Sequence, residues 1–149
     1  MPKKIFLTFV LFLFIGLSYS CQKESQDEID QKDIEKYISD HNIDATKHAS
    51  GVYYKIIKQG GSSHPNVNSR INVDYKGTLL DGTDFDSGKK VSLELGRTII
   101  GWQIGIPLIG EGGEILLIIP SRLGYGTTAQ GSVPKNSVMV FEVKLHFVS

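Results

Sequence analysis

Nothing limits the fold of this chain more than a ten-residue alternation, Arg70 to Leu79, followed closely by a tight-turn signal. Ile71, Val73, Tyr75, Gly77 and Leu79 fall on one side of the run, and Asn72, Asp74, Lys76 and Thr78 on the other. A period of two over that length fits a half-buried antiparallel strand and not a helix. Asp81-Gly82 supplies the residues of a tight hairpin turn, and Thr83 to Asp86 returns as the next strand. A sheet with one dry face is thereby required, and the rest of the chain must cover that face.

Flanking stretches extend the sheet. After a boundary at Ser50-Gly51, Val52 to Lys58 reads as a strand and Gln59 to Asn66 as a loop. Ser87-Gly88-Lys89-Lys90 interrupts the alternation beyond Asp86, and Val91, Leu93 and Leu95 resume it. Glu114 to Ile119 is a dense apolar strand, and Val138 to Val148 places Met139, Phe141, Val143, Leu145 and Phe147 on one face. Between these two, Pro120 to Lys135 is a long loop holding Gly124-Tyr125-Gly126.

One segment departs from the strand pattern. Trp102, the single Trp, is followed by Ile106 and Ile109 at spacings of four and three, one face of a short helix that Gly110 ends. Pro107 is tolerated there only near the helix start, where N–H groups lack intrahelical acceptors. The pattern predicts an α+β domain of five to six antiparallel strands with one short α-helix. A lone Trp is usually well buried. Trp102 is therefore either the middle of the core or the floor of a pocket, and helical spacing leaves both open.

The first fifty residues differ in kind. Lys3 and Lys4 precede an apolar run from Ile5 to Leu17, then Ser18-Tyr19-Ser20 and Cys21. Basic, apolar and small-residue regions in that order mark residues 1–20 as a secretory signal peptide. The run is shorter than the roughly 20 residues a spanning helix needs. Cys21 is the sole cysteine, so it has no internal disulfide partner. Leu17 to Cys21 resembles the lipobox of bacterial lipoproteins, with Leu four residues before the Cys instead of three. Lipidation of Cys21 is the expectation, and it would hold the chain to a membrane surface without spanning it. The protein would then be extracytoplasmic; Gln22 after the Cys, rather than Asp, points by analogy to the periplasmic side of an outer membrane.

Residues 21–49 read as a polar tether with a weakly amphipathic helix over Asp27–Asn42, its thin stripe made by Ile29, Ile34, Tyr37 and Ile38, with His41 at its edge. So little apolar surface does not sustain a free helix. The segment docks on the domain, pairs with a second copy, or stays a mobile tether. Composition favours the tether, on a monomer.

The chain carries 16 basic and 16 acidic residues, and removal of Lys3 and Lys4 leaves 14 against 16, a net of −2. That balance gives no footprint for nucleic acid. His41, His48, His64 and His146 stand singly, without Cys or carboxylates at metal-ligand spacing, so no metal site is predicted. A calcium loop begun at Asp84 would set Lys89 at the sharp-turn Gly and Leu95 at the bidentate Glu. Gly110-Glu111-Gly112-Gly113 follows a helix and precedes a strand, the reverse of a phosphate-binding loop. No Ser lies in a nucleophile elbow. What remains is Tyr75, Phe85, Asp86, Trp102, Tyr125 and Phe141, aromatic residues and one acid spread over five elements. Taken singly, each also reads as core, as a turn cap at Asp86 or as a surface loop residue at Tyr125.

Those residues stand in stretches that resemble the FKBP-type peptidyl-prolyl cis-trans isomerases. Tyr75-Lys76-Gly77, Asp81-Gly82 and Phe85-Asp86-Ser87 match the family's Tyr-x-Gly, Asp-Gly and Phe-Asp-Ser. Leu95-Gly96, Ile99 and Gly101-Trp102 match its Leu-Gly and Ile-x-Gly-Trp segment. Pro120, Leu123-Gly124-Tyr125-Gly126, Val133-Pro134 and Val140 to Leu145 are similar to its closing half. Any one motif is weak, but their order and spacing over about residues 50–148 is specific.

The resemblance implies a twisted antiparallel sheet wrapped around one short helix, with residues 50–149 as the isomerase domain. It implies a prolyl pocket with Trp102 as floor and Tyr75, Phe85, Ile99 and Phe141 as walls. Asp86 and Tyr125 would be hydrogen-bonding groups at the rim, and the Ile99 N–H would bind a substrate carbonyl. Val91 would stand where many members carry an aromatic wall, and Thr98 and Val133 would flank the mouth. The implied activity is rotation about X–Pro bonds in exported polypeptides, with no cofactor. A non-catalytic chaperone or binding module for proline-containing segments is the alternative. The Ser87-Gly88-Lys89-Lys90 stretch lacks the Arg that pairs with the acid in many eukaryotic members, and Ile100 replaces a Pro common in bacterial ones. A wall as small as Val91 also lowers the affinity expected for the family's macrolide inhibitors.

Overall fold

The structure, a computed structural model, describes residues 23–149; the expected signal peptide and Cys21 lie outside the described residues. The alternating run forms β3 (Arg70–Leu79), paired antiparallel with both β4 (Asp84–Glu94) and β6 (Met139–Val148). Beyond β6 the sheet continues through β5 (Glu114–Ile119) and β2 (Tyr53–Lys58) to a two-residue edge strand, β1 (Thr46–Lys47). All six strands are antiparallel to their neighbours, in the order β1-β2-β5-β6-β3-β4, as the α+β reading requires.

β4 corrects one expectation. Ser87 to Lys90 does not break the strand but forms a bulge inside it. Val73 pairs with Val91 and Tyr75 with Gly88, three steps on β4 against two on β3. One extra residue is accommodated, with Lys90 at φ 50°. Side chains of β3 hold the bulge: Asp74 Oδ1 accepts from the Lys90 N–H at 2.7 Å, and Asn72 Nδ2 donates to the Lys90 carbonyl at 3.0 Å. Phe147 is a second correction. The β3–β6 register slips between Asn72↔Phe147 and Val73↔Leu145, and Phe147 is turned out, 54% exposed.

The dense apolar run of β5 is explained by burial on both faces. Ile115, Leu117 and Ile119 join Ile71, Val73, Val143 and Leu145 in the main core. On the other face Ile118 packs with Tyr53, Val138, Val140 and Ile34. The main core is closed by α2 (Ile100–Gly105), which continues as a 3₁₀ turn, Ile106–Leu108, around Pro107. Gly101 and Gly105 let α2 lie directly on β5. A Cβ on either would come within 2.4 Å of Ile119 Cγ2 or Leu117 Cδ2.

The second face is covered by α1 (Gln26–Asp40), opened by a capping box in which Ser25 and Glu28 exchange side-chain-to-backbone hydrogen bonds. The segment is docked. Ile34 is fully buried, Tyr37 and Ile38 pack beside it, and the Tyr53 hydroxyl donates to Glu35 Oε1 at 3.0 Å. Ile29 of the expected stripe is exposed, and Asp30 takes its inward place. A stripe too thin for a free helix suffices here because the sheet offers it a second apolar face.

Candidate active site

Trp102 is set by its position as the third residue of α2, whose close seat on β5 drives the indole into the main core. Trp102 is 4% exposed, and Tyr75 from β3 and Phe141 from β6 both meet its ring edge to face, at centroid distances of 5.2 and 5.3 Å. Phe85 from β4 meets Phe141 in the same way at 5.4 Å. Such T-shaped contacts favour the electrostatics of each ring and fix its angle. Gly77 makes the Phe pair possible. A Cβ there would lie 2.6 Å from Phe85 and 2.9 Å from Phe141.

These rings line an open pocket of about 220 Å³ that also takes in Asp86, Leu93, Arg97, Thr98, Ile99 and Tyr125. The structure therefore brings together Tyr75, Phe85, Asp86, Thr98, Ile99, Trp102, Tyr125 and Phe141. Trp102 is both core and pocket lining, so the two alternatives left by its spacing are one arrangement. Val91 and Val133 are not lining residues. Val91 Cγ2 crowds against Gly88 beside the Tyr75 ring, and Leu93 provides the apolar wall from β4. Val133 is buried in the core, in a turn closed by a reciprocal backbone pair with Gln130, 2.9 Å in each direction. Leu93 was legible as an inward position of the resumed alternation. Arg97 gives no such signal, and its Nε is held by Glu94 Oε2 at 2.7 Å.

The polar groups at the rim are few. Tyr75 donates its hydroxyl to Asp86 Oδ2 at 2.9 Å, and Asp86 Oδ1 accepts from the Ser87 N–H at 2.8 Å. Asp86 thus has a phenol for its side-chain partner. Burial, then the hydrogen bond and charge of Asp86, push the Tyr75 phenol up to about 12. Ile99 is the N-cap of α2: its carbonyl accepts from the Trp102 N–H at 3.0 Å, while its own N–H has no acceptor among the described residues. Gln103 keeps this segment in place, donating from Nε2 to the Thr98 carbonyl at 2.8 Å. No motif in the sequence marks Gln103, which lies one turn beyond the pocket residues that it supports.

The pocket is thus an apolar basin with a carboxylate, a phenol and a free backbone N–H at its rim, the combination expected of a site that receives a small apolar ring next to a carbonyl. Comparison with known proteins agrees. Residues 61–146 match the family model described as FKBP-type peptidyl-prolyl cis-trans isomerase. This chain belongs to that family. It is 44% identical over 105 residues to the FKBP-type peptidyl-prolyl cis-trans isomerase FkpA of Buchnera aphidicola, a match covering 67% of this chain and 42% of that protein. The chain thus spans about two-fifths of the length of the curated relatives it matches. Its fold is similar to the crystal structure of FkpA from Escherichia coli, with a TM-score of 0.73 and 33% identity, covering 79% of this chain and 58% of that one. A peptidyl-prolyl cis-trans isomerase from Pseudomonas syringae is matched over 98% of its length and 85% of this chain, with a TM-score of 0.71 and 26% identity.

Proposed function

We propose that this protein is a peptidyl-prolyl cis-trans isomerase acting on proline-containing segments of exported polypeptides, held by acyl chains on Cys21 to the periplasmic side of a bacterial outer membrane. The observation that carries the catalytic part is the aromatic pocket whose rim joins Tyr75 to Asp86 and exposes the unpaired Ile99 N–H. The membrane part is supported by the order of basic, apolar and small residues before Cys21.

An X–Pro bond rotates over a barrier of about 18–20 kcal/mol, and unaided it takes tens of seconds or more. The planar imide is polar through resonance, and twisting removes part of that polarity. In this reading the prolyl ring rests on Trp102 between Tyr75, Phe85 and Phe141, where water is excluded. Desolvation raises the planar state more than the twisted one, and only such a difference accelerates the step. Each 1.36 kcal/mol or so of it is worth about tenfold in rate. The Ile99 N–H holds the substrate carbonyl, while Asp86 and Tyr125 orient the backbone around the rotating bond. No bond is made or broken.

A protease-coupled assay on X–Pro peptides tests the reading, with Phe85→Ala and Asp86→Ala as pocket variants checked for an intact fold. Acceleration by the wild type and its loss in the variants is the expected result. Peptide binding without acceleration would instead favour a non-catalytic module. Lipidation is tested separately: the wild type should partition into membranes, and Cys21→Ser should not.

A further inference from the structure

Asp30 lies on α1 and is 1% exposed, an unusual place for a carboxylate. Withdrawing it from water is costly unless donors replace its hydration. Three do. Gln26 Nε2 donates to Oδ1 at 2.7 Å, while the Ser121 N–H and hydroxyl both donate to Oδ2, at 2.7 and 2.6 Å. Docking alone would be served by an apolar side chain, as Ile34 serves one turn further on. The carboxylate adds something an apolar contact lacks, a fixed position for one residue of the facing loop.

Ser121 passes that position on. Its carbonyl accepts from the N–H groups of Gly124, at 3.0 Å, and Gly126, at 2.8 Å, the residues on either side of Tyr125. Tyr125 lines the pocket. A continuous set of short hydrogen bonds therefore runs from α1 through Ser121 to the backbone flanking a rim residue. Arg122, the next residue, is also gripped from α1, its Nε lying 3.1 Å from Asp27 Oδ2. Asp27 and Asp30 both stand outside residues 61–146, which match the family model.

We propose that Asp30 is a positioning residue for the pocket: by fixing Ser121 it sets where the Tyr125 phenol stands, so α1 belongs to the isomerase and is not merely its stalk. The kinetic consequence rests on the isomerase reading; the structural consequence does not. Asp30→Asn in the full chain keeps the shape and one acceptor oxygen but removes the charge. It should speed amide exchange at Gly124 and Gly126 by about tenfold while β3 amides stay protected. It should lower kcat/KM by roughly three- to tenfold, within the 10²-fold or so that a misplaced group can cost. In a Tyr125→Ala background the same substitution should cost nothing further, because coupled residues are not additive.

Unchanged exchange at Gly124 and Gly126 overturns the proposal, as does a uniform rise that includes β3. So do fully additive kinetic losses in the double variant. Should Asp30→Asn not fold, Ser121→Ala, which keeps the backbone contact to Asp30, carries the same comparisons at smaller amplitude. A wild type without isomerase activity would refute the functional reading while the exchange data still decide whether Asp30 fixes the loop.

Discussion

The Tyr75 hydroxyl donates to Asp86 Oδ2 across 2.9 Å, so the acid at the pocket rim is oriented by the same ring that packs T-shaped against Trp102. Wall and rim are therefore coupled through one side chain. Tyr75→Phe keeps the wall and frees the acid. A hydrogen bond to a charged group is worth about 1.5–3 kcal/mol when buried and less at an exposed rim. Isomerase kcat/KM should consequently fall by several-fold with Tm nearly unchanged, as a side-by-side assay and thermal melt would report. Equal activity in both proteins would mean that the orientation of Asp86 is irrelevant.

The same phenol gives an alkaline signature. Tyr75 is pushed from 10.0 up to about 12, chiefly by burial and then by Asp86; Tyr53 is pushed up to about 12 by burial and by its bond to Glu35. The folded state holds these protons more tightly than the unfolded state. Their contribution is fully present below pH 10 and is lost as pH rises through about 12. Urea unfolding across that window should lose stability steeply, and Tyr53→Phe or Tyr75→Phe should flatten the loss. Unfolding free energies that fall equally in all three proteins would contradict it.

Gly77→Ala should damage the pocket selectively. The added methyl would sit 2.6 Å from Phe85 and 2.9 Å from Phe141, so both rings must move. Overpacking of this kind costs about 1–3 kcal/mol. Isomerase activity should drop beyond what the fraction unfolded explains. A control at Gly82, where nothing beyond its chain neighbours lies within 4 Å of an added Cβ, suffers only from its φ of 86° and should retain the pocket. Full activity in Gly77→Ala would show that the Phe85–Phe141 geometry does not matter.

At acid pH one sensitive point is the β4 bulge. The Lys90 N–H first, then His146 with Nε2 3.0 Å away, hold the Asp74 carboxyl below its usual 3.8. A depressed carboxylate contributes stability above its unfolded value and loses it as pH falls through the folded one. Asp74→Asn should therefore remove part of the acid-induced loss of stability below about pH 4, measured by urea unfolding. An identical acid limb in the variant would mean that the bulge does not depend on this charge.

Much of this architecture could be read from residue order. β3 and β5 carry their own boundaries, since alternation and unbroken apolarity each end at turn residues. Eight of the proposed pocket residues converge because they sit in stretches whose spacing resembles a family. Val91 and Val133 do not, because a one-residue bulge and a reciprocal turn at Gln130 are register events, and side-chain period alone does not reveal them. The docking of α1 is hidden in the sequence for a different reason. Its stripe is thin in apolar residues, and nothing in the sequence alone says that β5 and β6 leave a second face for Ile34 or that a buried Asp30 has Ser121 to meet it. Partners far apart in sequence decide such a segment.

Ile34→Ala tests the docking directly. A fully buried Ile at the centre of the second cluster should cost about 2–5 kcal/mol on truncation. Thermal or urea unfolding should remain a single transition shifted to lower stability. A negligible shift would mean that α1 is free in solution.

The central claim is that the pocket over Trp102 accelerates prolyl rotation, and exchange spectroscopy on an X–Pro peptide measures that rotation without a coupling protease. The account predicts that small amounts of the wild-type protein raise the cis–trans exchange rate in proportion to protein concentration. It also predicts that folded Phe85→Ala leaves the rate near its uncatalysed value. An exchange rate untouched by the folded wild-type protein on every X–Pro sequence tried would contradict it.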